Sequence, residues 1–521
     1  MNVAEFIAQK CKELNEHTFL FVGGGNMYLA DAIGRTNNYI CMHHEQALSM
    51  AAEAYARITN KPSVCVVTTG PGGINAMNGV AGAWLDSIPM IVISGQVRIP
   101  MMKTPGMRQL GDQELPITEI VKPITKMAEV LTDVNDIGRM WDRAVETATS
   151  GRPGPVWLDI PLDIQNAKLP EQTEHIPYLN SYQFNRSYFD AILSSKRPLI
   201  LAGNGIRLAG AVSKFRTLIE KMNIPVALSE HAIDLLPTSH YLNLGPFGMC
   251  GHQMTNKVVQ KADVILILGC RMNVRLTGYE FKKFAKNAFK IMVDADETEL
   301  NKSTFVPQLK VKADVGFIID NLLKAYHGHL ADWVGEVNEE LKVTPIIKNI
   351  VQISEAMAGE ENVIVSSNGV IPTYLNRYIR LNEGDRYIAN SGLGSMGYAL
   401  PASIGAALAS GKRTLCFEGD GSLQLNVQEL QTVKDLNLNL KIFVVSNGGY
   451  ASVKATQDNY FKGNYVGRGP ESKLNFPNIR RLAEAYQIAY APFPVGFDDP
   501  APVIYEIQAN DTELPYKGTY E

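Results

Sequence analysis

Two carboxylates stand where the chain could do chemistry. The first is Glu45, in the stretch CMHHEQALSMAAEAYARI that runs from Cys41 to Ile58. Its alanine-rich apolar spacing predicts a buried helix, with His43, His44 and Glu45 in a row at the entrance. A zinc helix of the H-E-x-x-H type needs a second imidazole one turn on, on the same face. Leu48 holds that position, so the zinc reading fails and Glu45 needs another task. Nothing in the spacing of His43 and His44 demands chemistry, and a capping or exposed role is the expectation for both. The second carboxylate is Asp420, in CFEGDGSLQLNVQELQTVKDLNLNLKIFVVSNGGY. A buried strand stops at Gly419, which leaves Asp420 at the carboxyl end of a parallel strand, where open α/β sheets bind ligands. Gly421 and Ser422 open the next helix and can turn N–H groups toward an anion. Asn447 follows 27 positions later, one βαβ unit on, so a carboxylate and an amide oxygen converge on one sheet edge. Hard oxygen donors beside a helix start suit Mg²⁺ bridging a diphosphate. Either residue alone reads as a capping Asp or a turn Asn; the pair at this spacing is far more specific.

The elements that must position these residues are legible as apolar runs. HTFLFVGGG, PSVCVVTTG, IPMIVISG, PVWLDIP, PLILAGNG, ADVILILG, KIMVDAD, NVIVSSNG, RTLCFEGD, LKIFVVSNGG and PVIYEIQ read as strands, with helical patterns between them. Continuous apolar strands alternating with helices predict an α/β protein of open parallel sheets. Polar stretches at Lys168–Arg186 and His327–Pro345 read as linkers, giving three domains at 1–167, 187–326 and 346–521. The first and third echo each other. Gly70-Pro71-Gly72 and Gly419-Asp420-Gly421 each end a strand, and the interval from Gly70 to Asp86 equals that from Gly419 to Asp435. This points to a duplicated fold.

Composition excludes several classes. Of 521 residues, 45% are hydrophobic and 20% charged, the balance of a globular enzyme. A net charge of −4 without basic blocks argues against nucleic acid. The N-terminal MNVAEFIAQKCKELNE is an amphipathic helix without an apolar core, so no signal peptide is read there, and no run reaches the ~20 apolar residues that span a bilayer. The six cysteines are scattered without a C-x-x-C pair, which predicts reduced thiols in a cytoplasmic protein.

At the metal loop the chain reaches a family likeness. GDGSLQLNVQEL…SNGGY resembles the thiamin diphosphate motif, with Ser446 in place of the first of its two asparagines. TTGPGGINAMNGVAGAWLDSIPMIVISGQV, GRPGPVWLDIPLDI and SGLGSMGYALPASIGAALA resemble segments of acetolactate synthase-like enzymes, the family that includes acetohydroxyacid synthase, pyruvate oxidase and benzoylformate decarboxylase. The resemblance covers nearly the whole chain and implies pyrimidine-binding, central and diphosphate-binding domains. It implies that Asp420, Asn447 and the Gly449 carbonyl bind Mg²⁺. It implies that Pro71, Asn75, Gly369, Gly394, Ser395, Met396, Gly421 and Ser422 cradle the cofactor, Met396 bending it so that its two rings meet. Glu45 then hydrogen-bonds the aminopyrimidine ring as general acid–base, with Gln113 as a second catalytic residue.

The resemblance also sets expectations for the reaction. A 2-oxo acid is decarboxylated and the enamine passes to a second carbonyl compound, in a homodimer or homotetramer with shared active sites. A non-ligating decarboxylase, a C–C lyase or a hydrolase on the same cofactor stays open, as does a catalytically silent nucleotide-binding homologue. Asn26, Arg275 and Thr456 are the expected substrate residues. LGCRMNVRLTGYE resembles the synthases' flavin segment, with Asn273 and Val274 where they carry two aspartates, which leaves FAD an open expectation. Thr456 falls where the synthases have a tryptophan, so the acceptor pocket should be larger and more polar than one built for pyruvate.

Overall fold

The computed structural model of the chain describes residues 1–170, 182–326, 333–335, 344–493, 497 and 499–509. Most of both expected linkers lies outside the described residues. Three six-stranded sheets, all parallel in their pairings, follow one another along the chain. The first holds β1 (His17–Leu20), β2 (Asn38–Ile40), β3 (Ser63–Val67), β4 (Met90–Gln96), β5 (Met127–Val130) and β6 (Pro155–Pro161) in the order β2-β1-β3-β4-β6-β5. The second holds β7 (Pro198–Ala202), β8 (Val226–Leu228), β9 (Asn243–Pro246), β10 (Val264–Leu268), β11 (Phe289–Asp294) and β12 (Leu309–Lys312), ordered β12-β11-β10-β7-β8-β9. The third holds β13 (Asn362–Ser366), β14 (Arg386–Ala389), β15 (Arg413–Gly419), β16 (Leu440–Ser446), β17 (Ala489–Pro492) and β18 (Val503–Gln508), ordered β14-β13-β15-β16-β18-β17.

The first and third orders are the same once strands are counted within each sheet, as a duplicated fold requires. The central sheet has the doubly wound order whose switch point lies between β7 and β10. All eleven apolar runs are strands. The seven strands without such a run, β2, β5, β8, β9, β12, β14 and β17, are three or four residues long, and all but β8 are sheet edges. An edge strand is covered on fewer sides and needs no continuous apolar run.

Three helices carry the functional segments. α1 (Glu45–Thr59) is buried along most of its length, α2 (Pro71–Asp86) follows β3, and α3 (Ala399–Ser410) precedes β15. α1 packs against both of the others. Its small residues permit this: a Cβ on Gly405 of α3 would lie 1.9 Å from the Ala51 carbonyl oxygen.

A buried charge network joins the three domains. Arg57 on α1 donates to Glu53 (Nε–Oε1 2.7 Å) and to Asp86 (Nη2–Oδ2 2.7 Å). The Tyr398 hydroxyl of the third domain donates to Glu53 at 2.6 Å. In the central domain Asp234 accepts from Arg386 at 2.9 Å and pairs with Arg207 at 2.9 Å, while Arg386 also donates to the Arg57 carbonyl. Burial alone would raise the Asp86 carboxyl, but His231 and Arg57 outweigh it and hold it below the usual range. Removing one partner from such a buried pair strands the other, at a cost of about 3–5 kcal/mol.

Candidate active site

Asp420 opens a four-residue helix (Asp420–Leu423) directly after β15. One carboxylate oxygen accepts from its neighbour Gly421 N at 2.8 Å; the other accepts from Asn447 N at 3.1 Å and Gly448 N at 2.9 Å. Neighbouring strand ends thus deliver Asp420 and Asn447 to one point. Burial raises the Asp420 carboxyl above its ordinary range, against the pull of these N–H groups. The Asn447 Oδ1 is buried with no hydrogen-bond partner. A buried acceptor left bare beside a carboxylate is the arrangement a hard cation would complete. No group of three or more His, Cys, Asp or Glu placed to hold a metal ion exists among the described residues, so a cation beside Asp420 would also depend on amide and carbonyl oxygens, Gly449 following Asn447 by two residues.

Two residues expected to cradle the cofactor make hydrogen bonds within the protein here. The Gly421 N–H is spent on Asp420. The Ser422 hydroxyl lies 2.8 Å from that of Ser367 and accepts from Gly397 N at 2.8 Å, so it braces the turn before α3. Glu418, which sequence reasoning passed over, is fully buried and accepts from Ala399 N and Leu400 N at the start of α3. Its signal was a lone carboxylate inside an apolar strand.

The cradle segment follows. Asn368 Nδ2 donates to the Ser395 carbonyl at 2.6 Å, and Ser395 Oγ donates to Asn78 of α2 at 2.6 Å. At Gly369 and Gly394 the nearest heavy atoms to an added Cβ are Ser452 Oγ at 3.9 Å and Asn368 Oδ1 at 4.0 Å, so both positions are loosely surrounded. Met396 is 37% exposed.

The other carboxylate lies at the mouth of α1. His44 caps the helix, its Nδ1 accepting from Gln46 N at 3.0 Å, while the exposed His43 donates its backbone N–H to Glu429. Glu45 is 7% exposed, and Asn75 Nδ2 of α2 donates to its Oε2 at 3.0 Å. Pro71 starts α2. Against this turn lies Gln113, exposed and at a φ of 60°. A Cβ on Gly70 would come within 2.5 Å of the Gln113 carbonyl oxygen, so only glycine lets the two segments meet.

The three expected substrate residues differ in their surroundings. Asn26 is fully buried, its Nδ2 donating to the Phe21 carbonyl and its Oδ1 accepting from Gly23 N. It closes a turn and is buried away from solvent. Arg275 directs its two parallel hydrogen bonds, at 2.9 and 2.8 Å, to Glu230, which Ser391 also holds. The fork expected to grip a substrate carboxylate already grips a protein one. Thr456 is exposed on the helix Ala451–Phe461. Arg275 and Glu230 line a cavity of about 360 Å³ at the central switch point, with Asn204, Gly269, Arg271 and Asp294.

Among the described residues no hydrogen bond joins Glu45 or Asn75 to the Asp420–Asn447 loops. Exposed apolar side chains occur in both domains, among them Val22, Met27 and Met101 in the first and Leu425, Val453 and Phe461 in the third.

The family follows from comparison of the whole chain. The N-terminal TPP-binding domain of thiamine pyrophosphate (thiamin diphosphate) enzymes matches residues 1–115, the central domain 186–322 and the C-terminal TPP-binding domain 367–511. The chain belongs to the thiamine pyrophosphate enzyme family. It is 32% identical over 498 residues to acetolactate synthase isozyme 1 large subunit of Escherichia coli (strain K12), covering 91% of this chain and 87% of the relative. It is 32% identical over 527 residues to the acetolactate synthase large subunit of Lactococcus lactis subsp. lactis (strain IL1403), covering 95% and 88%. With chloroplastic acetolactate synthase 1 of Nicotiana tabacum the figures are 31% over 501 residues, 90% and 74%. The protein is therefore a thiamin diphosphate-dependent enzyme of the acetolactate synthase-like, carboligase type. No helix among the described residues is long and apolar enough to cross a membrane.

Proposed function

We infer that the enzyme decarboxylates a 2-oxo acid and joins the retained carbons to a second carbonyl compound. The observation that carries this reading is the bare Asn447 Oδ1 beside Asp420, across one βαβ unit from it. Asp420, Asn447 and the Gly449 carbonyl would hold Mg²⁺, and Gly369, Gly394, Ser395 and Met396 would border the cofactor. When bound, thiamin diphosphate supplies a carbon nucleophile that adds to the 2-oxo acid and accepts the electron pair left by CO₂. Glu45, oriented by Asn75 in an apolar setting, holds and returns a proton at the aminopyrimidine nitrogen. Gln113, exposed beside the same turn, would meet the substrate. Pyruvate is the donor that the relatives' name supports, since acetolactate contains two pyruvate-derived parts. The acceptor we favour is larger and more hydroxylated, because the exposed Thr456 stands where the resemblance puts the synthases' tryptophan.

The separate halves and the exposed apolar side chains of the first and third domains support a homodimer or larger assembly in which Glu45 of one subunit faces the Asp420 loops of another. The cavity at the central switch point supports an adenine-containing cofactor, FAD by resemblance, with Asn204, Gly269 and Asp294 at the strand ends that hold such groups.

The test is to release bound ligands from purified protein, record their mass and absorbance, and then supply pyruvate, Mg²⁺ and thiamin diphosphate with and without aldehydes. Thiamin-dependent CO₂ release with a new C–C product is expected. CO₂ release with acetaldehyde alone would replace ligation by simple decarboxylation, and no thiamin-dependent turnover of any 2-oxo acid would end the reading.

A further inference from the structure

Gln113 is held in a conformation that costs energy. A non-glycine residue at φ 60° is uncommon, and such strain persists only where the surroundings impose it. Part of the restraint is local: Glu114 N donates to the Gly111 carbonyl at 3.2 Å, and Leu110 N donates to the Glu114 carboxylate at 3.1 Å. The rest comes from below. Gln96, at the end of β4, divides the two hydrogens of its side-chain amide: one goes to the Leu115 carbonyl at 2.9 Å, two residues past Gln113, and the other to Asp159 Oδ2 at 2.9 Å. Gln96 Oε1 accepts from Val97 N at 2.9 Å, which fixes which way the amide faces. Asp159, on the adjacent β6, is 1% exposed, and its Oδ1 accepts from Ser94 Oγ at 2.5 Å. Trp157 Nε1 donates to the same Ser94 oxygen at 2.8 Å.

We propose that Asp159 is a positioning residue for Gln113: its buried carboxylate fixes the Gln96 amide, and that amide ties down the loop that presents Gln113 at the Gly70–Pro71 turn. Among the described residues no cation pairs with Asp159; its partners there are a hydroxyl and an amide. An aliphatic side chain of similar size would fill the space without burying a charge, so stability alone does not call for a carboxylate here. A leucine removes the acceptor of the Gln96 Nε2 hydrogen, whereas an asparagine can keep it by turning its Oδ1 to Gln96 and its Nδ2 to Ser94 Oγ. Ser94 sits on the other oxygen, away from the loop.

The inference rests on the assignment of Gln113 to the active site, so its primary readout does not depend on turnover. In the purified protein with its cofactors, hydrogen exchange of residues 109–116 is compared among wild type, D159L, Q96L and S94A. D159L and Q96L should each lose protection in this segment at least about tenfold, and the double variant should lose no more than either alone, as expected for members of one chain of contacts. S94A should leave the segment protected. In turnover, D159L should lower kcat by about 10–100-fold with little change in KM, the signature of a misplaced group and not of lost binding. Unchanged exchange at 109–116 in both D159L and Q96L overturns the proposal, and so does a loss spread evenly over the first domain. If D159L does not fold, Q96L alone decides. Lost protection with unaltered kcat would keep the tether and remove Gln113 from the chemistry, which separates failure of this inference from failure of the functional reading.

Discussion

The first and third domains share one strand order and put opposite chemistry at the same place. In the third, the turn after β15 offers a carboxylate surrounded by N–H groups, and the helix stops after Asp420–Leu423 before resuming at Glu429–Asp435. In the first, the turn after β3 offers a proline, which has no N–H, and α2 runs unbroken from Pro71 to Asp86. One copy presents a carboxylate among N–H groups at its turn; the other presents a proline with a single carboxylate, Glu45, nearby. The closing aspartates diverge as well. Asp86 is buried against Arg57, whereas Asp435 lies at the surface with Gln431. A shared scaffold thus fixes where a ligand sits, while turn residues decide which end of the ligand it is.

The strongest break in this comparison is Asp420→Ala. It should weaken thiamin diphosphate binding in the presence of Mg²⁺ by at least about 100-fold with an unchanged far-UV circular dichroism spectrum; calorimetric titration at wild-type affinity would place the metal loop elsewhere. Glu45→Gln attacks the other copy. It should reduce kcat by about 10²–10⁴-fold while the same titration shows a much smaller loss, so the two variants separate holding from activating. The matched aspartates come next. Asp86→Ala should cost about 3–5 kcal/mol and Asp435→Ala less than about 0.5 kcal/mol, read from paired denaturation curves; similar losses would mean the duplication is also symmetric in energy.

A smaller effect depends on pH. Burial pushes the Asp159 carboxyl up to about 7 from an ordinary 3.8, although Ser94 and Gln96 hold it down in part. The folded chain then binds that proton more tightly than the unfolded chain. This contribution to stability is complete below about pH 4 and is lost as pH rises through about 7. Melting temperatures of wild type and D159N across this window should diverge in that direction, and parallel curves would count against an ionisable Asp159. Smallest of all, Thr456→Trp should lower turnover with bulky hydroxylated aldehydes a few-fold and favour small acceptors, about what a change in pocket size alone contributes. A variant indifferent to acceptor size would remove Thr456 from the pocket.

Much of this was legible in the sequence. Buried parallel strands announce themselves as unbroken apolar runs, so every interior element but β8 could be found, and the strand ends located Asp420 and Asn447. What escaped depended on partners distant in the chain. Arg275 looks like a free fork until Glu230, 45 positions away, is seen to fill it. Asn26 reads as a polar group near a glycine turn, and only the folded turn shows both ends of its amide engaged. The left-handed backbone of Gln113 has no sequence signature, since glutamine is not a residue that favours it. The order of the central sheet, and with it the cavity, follows from strand pairing that no local pattern encodes.

The charge network among the three domains bears on how the chain comes to be made. Synthesis delivers Glu53, Arg57 and Asp86 first, then Arg207 and Asp234, and only afterward Arg386 and Tyr398, which cap Asp234 and Glu53. Until the last of these leaves the ribosome, two carboxylates destined for burial lack part of their neutralising shell, and the surfaces around them stay wet. Each domain can form its own sheet in turn, but locking them together waits for the final third of the polypeptide. Modules cut from this chain, or exchanged with those of a relative, would inherit unmatched ions at the seam unless the partners in all three domains are transferred as a set.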